Sequence, residues 1–183
     1  MVRRKTGLLI FVILCAMALA LYHREQLVGY SLYYKWRWLH RGEVNFDGIR
    51  IVLPDRWWVF SMESNELVCM RLPPGGRDFI TISVAQGKPI HLQGGLPISA
   101  PSLEIDKQFL ERVDPIETST LGGETVYLIT YNVTVPVKES NRVYLFWVIP
   151  SKQFMFSTSS ILPSQKNYCW ELVGAVVHAF SNK

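Results

Sequence analysis

From Val44 onward, apolar and polar side chains alternate in short runs broken by Gly and Pro. A period of two puts every second residue on one face, so this region is committed to β-strands with one face buried. In "FDGIRIVLP" the apolar face is Ile49, Ile51 and Leu53, and Pro54 stops the run. "ELVCMRL" predicts a second strand, and "DFITISVA" a third, with Ile80, Ile82 and Val84 opposite Thr81 and Ser83. "IETSTL" and "ETVYLITYNVTV" flank Gly122-Gly123 and predict a hairpin whose marked face is Tyr127, Ile129, Tyr131 and Val133. "RVYLFWVI" and "QFMFSTSS" predict another, joined through Pro150-Ser151-Lys152. Two helices interrupt the pattern. One is expected over Pro101–Val113, with Leu103, Leu110 and Val113 on one side. The other closes the chain after a Ser164 cap, with Leu172, Val173, Val176 and Phe180 inward. This order of elements is an α+β domain with one antiparallel sheet flanked by helices. Its expected core includes Ile49, Ile51, Ile80, Ile82, Val84, Tyr127, Ile129, Trp147, Val176 and Phe180.

With 183 residues the chain has room for one domain with a substantial core, and 13 % aromatic content argues against disorder. The net charge of +4 is unevenly placed. Residues 1–41 carry seven Lys/Arg against the single acid Glu25, a net +6, while residues 42–183 carry 12 against 14, a net −2. The body is therefore faintly acidic, which speaks against nucleic acid as a partner. The basic end is the one that would meet anionic lipid headgroups.

That end also holds the most apolar stretch. Gly7–Tyr22 is 16 residues without a charge, preceded by Arg3, Arg4 and Lys5. As a helix it would be about 24 Å long, slightly short of a hydrocarbon core of about 30 Å. Ala18-Leu19-Ala20 fits a signal-peptidase site, so cleavage after Ala20 is the alternative to a retained anchor. Retention is favoured because no helix breaker separates this stretch from "EQLVGYSLYYKWRWLHRG", whose pattern stays helical. Arg24, Ser31 and Lys35 form a polar stripe there. Tyr30, Tyr33, Tyr34, Trp36 and Trp38, interleaved with Lys35 and Arg37, have the composition of a membrane-interface belt. The plainer alternative is that this helix packs on the domain's own core. The expected organisation is a basic N-terminus (1–6), a transmembrane signal anchor (7–22), a juxtamembrane aromatic helix (23–42) and an α+β domain (43–183). Positive charge before the span keeps the N-terminus in the cytoplasm and sends the domain to the periplasm of a bacterial inner membrane.

"GIRIVLPDRW" from Gly48 to Trp57, a middle helix, a Gly-Gly hairpin leading to "YLITYNV", and a closing helix ending "VVHAFSNK" resemble the PsbP/Mog1/DcrB-like superfamily over residues 44–183. The resemblance rests on element order and on a strand-Pro-x-x-Trp opening. It implies an α/β/α sandwich and a non-catalytic binding or assembly module, as photosystem accessory subunits, a Ran-binding protein, bacterial envelope proteins and effector chaperones of that superfamily are. It carries over no site residue.

The residues themselves agree with a non-enzyme. His23, His40, His91 and His178 are scattered, without the spacing of metal ligands, and there is no nucleophile elbow or P-loop. No catalytic residue, cofactor, metal or small-molecule substrate is therefore expected. Cys69 and Cys169 could form a disulfide in an exported domain; the alternative is two buried free thiols. The expected function is a membrane-anchored envelope module that works through protein contacts, with membrane lipids and an envelope protein as partners. The alternative is an immunity or chaperone protein for a secreted toxin, and an envelope hydrolase ranks below both. Two stretches are candidate contact surfaces. In "DRWWVFSM" the neighbours Trp57 and Trp58 must face opposite sides of a strand, so one leaves the core face, and it is a contact residue unless a helix on that other face covers it. The loop "GKPIHLQGGLPI" carries Ile90, Leu92, Leu96 and Ile98 in a Gly/Pro frame.

Overall fold

The computed structural model of the chain describes residues 15, 17, 24–72, 79–87, 92–93, 96–97, 110–133, 141–159 and 161–181. Helix α1 spans Arg24–His40. It is followed by a hairpin of β1 (Glu43–Phe46) and β2 (Ile49–Val52). Asp47 and Gly48 link the two strands with φ of 50° and 74°. Positive φ at both central residues is the type I′ geometry whose twist suits a two-residue hairpin. The Asp-Gly pair was the signal for β1, which period-two reading from Ile49 alone did not supply.

The main sheet has seven strands, all antiparallel to their neighbours. Its first half is the meander β3 (Trp57–Met62), β4 (Glu66–Arg71) and β5 (Ile80–Gln86). A two-residue pairing of β6 (Leu92–Gln93) with β7 (Leu96–Pro97) stands apart from it. The second half is β8 (Leu110–Leu121), β9 (Glu124–Val133), β10 (Val143–Ile149) and β11 (Phe154–Thr158). Its strands run back across the sheet, giving the order β3-β4-β5-β11-β10-β9-β8 with β3 and β8 at the edges. Helix α2, Lys166–Ser181, closes the chain. The fold is thus α+β, mostly antiparallel sheet with, among the described residues, the two helices α1 and α2.

The core follows from strand parity. Trp57, Leu67, Cys69, Ile80, Ile82, Val84, Trp147, Phe154 and Phe156 project from one face and meet Leu172, Val173, Val176 and Phe180 of α2 and Phe46, Ile49 and Ile51 of the hairpin. The expected core residues Ile49, Ile51, Ile80, Ile82, Val84, Ile129, Trp147, Val176 and Phe180 are all buried. Tyr127 is only half-buried. On β9 it is Val126 and Leu128 that enter the main core, while Ile129 joins Phe146 and Val148 in a separate cluster on the opposite face. Strand β10 is buried on both faces, which is why "VYLFWVI" lacks clean alternation.

Residues 101–109 of the expected middle helix lie outside the described residues, and its end is corrected: Leu110–Val113 belongs to β8. The spacing of Leu110 and Val113 suits a helix, but backbone pairing decides against it, with Leu110 opposite Val133 and Val113 opposite Thr130. Pro115 falls in the irregular stretch between Val113 and Glu117 of this edge strand, where a missing N–H costs no ladder bond.

Among the described residues no helix is long and apolar enough to cross a membrane. The expected span at 7–22 lies outside them, except for Cys15 and Met17, which are helical and exposed.

Candidate functional site

Helix α1 is the element whose surface needs explaining. It lies on the face of the sheet opposite α2, and Tyr33 is its anchor. Tyr33 is 6 % exposed, packed edge-on to Trp58 with ring centroids 6.2 Å apart. Its O–H donates to Asp55 Oδ1 at 2.8 Å, and the Arg56 backbone N–H donates to the Tyr33 oxygen at 3.3 Å. Burial pushes the Tyr33 phenol above its ordinary pKa, helped by the carboxylate beside it. The same hydrogen bond is the main reason Asp55 is held below the ordinary carboxylate value. Gly29, one turn earlier, is where the Phe79 ring comes against the helix backbone; a Cβ at that position would overlap the ring. A glycine inside a helix is therefore used here for close approach.

The rest of α1 is unusual for a docked helix. A polar stripe of Arg24, Ser31 and Lys35 faces outward, as its spacing predicts. On one side of the stripe lie Leu27, Tyr30, Tyr34 and Trp38, all exposed, with Trp38 at 82 %. On the other lie Val28, Leu32 and Leu39, also exposed. These three form one wall of a groove along the helix. Its floor is Trp58, and the opposite wall is Phe60, Met70 and Phe79. Two adjoining cavities of about 600 Å³ and 280 Å³ share Leu32, Trp58 and Phe60. Phe60 is 65 % exposed, beside the β3 bulge between Val59 and Ser61.

The predicted interface residues thus divide. Tyr30, Tyr34, Lys35 and Trp38 are on the surface. Tyr33 is not available, because it is packed under the helix. Trp36 and Arg37 are half-buried; Trp36 stacks on His40 with centroids 5.1 Å apart, and Arg37 Nη1 is enclosed without a hydrogen-bond partner among the described residues.

Trp57 and Trp58 do face opposite sides of β3, and both are buried. Trp57 lies in the main core, and Trp58 is 3 % exposed beneath α1, flanked by Tyr33 and by Phe79 with centroids 6.0 Å apart. Of the loop candidates, Ile90 and Ile98 lie outside the described residues, while the backbones of Leu92 and Leu96 belong to β6 and β7. The groove walls escaped sequence reasoning. Val28, Leu32 and Leu39 stand at helical spacing but were not singled out, and Phe60, Met70 and Phe79 reach the same place only through the fold.

Cys69 and Cys169 are free and buried, each in the main core. Burial raises both thiols, Cys169 to about 12 and Cys69 further, so neither is a ready nucleophile. Close by, the Arg71 guanidinium stacks 3.7 Å from the Tyr168 ring centroid, and one of its N–H groups donates to the Leu72 carbonyl at 3.3 Å. This cation–π contact ties β4 to α2. Among the described residues no group of three His, Cys, Asp or Glu side chains could hold a metal ion. No family model matches the chain, and no curated protein matches it.

Proposed function

We propose that the chain is a membrane-anchored, non-catalytic module of the bacterial envelope. In this reading residues 7–22 span the inner membrane and a periplasmic α/β/α domain of PsbP/Mog1/DcrB-like type follows. The domain serves to assemble or regulate an envelope protein complex. The observation that supports the reading is the outward surface of α1. Leu27, Tyr30, Tyr34 and Trp38 are exposed together beside Arg24 and Lys35, on a helix that begins two residues after the apolar segment. Aromatic rings with cations between them are stable at headgroup depth, where the ring body is out of water and the charge remains in it. An exposed apolar cluster of this kind in a freely dissolved domain would be an aggregation liability.

Two measurements on the expressed full-length chain test this. Mass spectrometry of the mature protein should return an intact N-terminus, and the protein should stay in the membrane pellet through carbonate and high-salt washes. A first residue of Leu21, with release into the wash, would overturn the anchored reading. The partner reading is tested by a photo-crosslinker at Tyr34 or Trp38 in living cells: crosslinks to one envelope protein support it, and crosslinks to lipid alone remove it.

A further inference from the structure

We infer that the groove between α1 and β3 is a binding site for one acyl chain of an anionic phospholipid. This rests on the reading that α1 lies at a membrane surface, and it assigns the groove a ligand that reading does not require.

Three features of the groove choose this occupant. First, its walls are aliphatic and aromatic, and among the described residues no acidic side chain lines it. Filling it with a hydrocarbon chain removes apolar surface from water on both sides. Second, the full charges in its lining are, among the described residues, cationic: Arg24 at the end nearest the expected span, and Lys35 eleven residues on. A guanidinium presents paired N–H donors to a phosphate, and an ammonium adds attraction without direction. An anionic headgroup is therefore drawn to the mouth while the chain enters the groove. Third, the length fits. From Arg24 to Leu39 the helix wall runs about 22 Å, and one leaflet of hydrocarbon is about 15 Å thick. A peptide strand added to the β3 edge is the competing occupant. It is disfavoured by the bulge between Val59 and Ser61, which breaks the regular ladder an added strand would need.

The test uses the full-length chain in nanodiscs of equal parts phosphatidylglycerol and phosphatidylcholine, released into mild detergent and weighed by native mass spectrometry. The expected result is one retained phosphatidylglycerol per chain. Leu32→Trp keeps the helix surface apolar while filling the shared centre of the groove. It should lower the lipid-bound fraction about tenfold, which corresponds to losing the burial of about two methylene groups. Phe60→Trp does the same from the opposite wall, should Leu32→Trp prove unfolded by circular dichroism. Arg24→Gln with Lys35→Gln should abolish the preference for phosphatidylglycerol over phosphatidylcholine. Retention of no lipid, of both lipids in bilayer proportion, of a polypeptide in place of lipid, or of equal lipid in the folded Trp variants would overturn the inference. The anchored reading fails separately, by release in the carbonate wash, because lipid retention by the groove is read on the same protein whether or not the anchor is cleaved.

Discussion

Replacing Trp58 by Ala tests whether α1 is part of the folded domain. Trp58 is 3 % exposed, and its outer-face position means that α1 and Phe79 are what keep it from water. Trp→Ala in an enclosed site costs about 3–5 kcal/mol, combining lost transfer energy with the cavity left behind. The site is bounded by one helix and the edge of a sheet, so partial collapse should bring the cost to the lower end, about 3 kcal/mol. That is a large part of the roughly 5–15 kcal/mol that stabilises a domain. Phe60→Ala, two residues along the same strand, should cost within about 0.5 kcal/mol, since that ring is mostly in solvent. A double-mutant cycle with Tyr33→Ala isolates the edge-to-face pair, for which about 0.5–1.5 kcal/mol of coupling is expected. Urea unfolding of the detergent-solubilised chain, followed by far-UV circular dichroism, supplies all five stabilities: wild type, the three single variants and the double variant. If Trp58→Ala and Phe60→Ala cost the same, or the cycle closes with no coupling, α1 does not cover the sheet and the groove has no floor.

Gly29→Ala should destabilise by about 1–3 kcal/mol, the usual cost of overpacking, although alanine is the better helix former by about 1 kcal/mol; a gain in thermal stability would show that Phe79 does not pack there. Stability should depend on pH at both extremes through Tyr33 and Asp55. The Tyr33 contribution is complete below the ordinary value of 10.0 and is lost as pH rises through its raised folded-state pKa, when a phenolate would face the carboxylate. The Asp55 contribution is complete above the ordinary value of 3.8 and is lost as pH falls through its lowered folded-state pKa. Tyr33→Phe should flatten both limbs in urea titrations across pH, and unchanged limbs would discount the pair. Cys69 and Cys169 should resist a charged thiol reagent until the domain is unfolded, because both are buried and their thiolates disfavoured; prompt labelling of either in the folded protein would contradict the core packing.

Period-two alternation was enough to locate the strands around Ile51, Ile82 and Ile129, and the Gly122-Gly123 pair to locate a turn, where φ of 56° and 82° suits glycine. The apolar stripe of α2 identified its inward face for the same reason: side-chain period is a local property, set by backbone geometry over a few residues. Alternation names the residues that share a face and is silent on what covers that face. The two tryptophans show the difference. Their adjacency dictated opposite faces, but whether Trp58 met solvent depended on Tyr33, 25 positions earlier, and on Phe79, 21 positions later. Leu110 and Val113 fitted a helix as well as a strand until β9 supplied hydrogen-bond partners more than 15 residues away. The polar stripe of α1 was legible from Arg24, Ser31 and Lys35, whereas its buried side was not, because most of the other positions between Leu27 and Leu39 are apolar and any of those could have turned inward. Tertiary contact chose among them: Gly29 admits the Phe79 ring, Asp55 holds the Tyr33 hydroxyl, and the residues left outside became one wall of a groove.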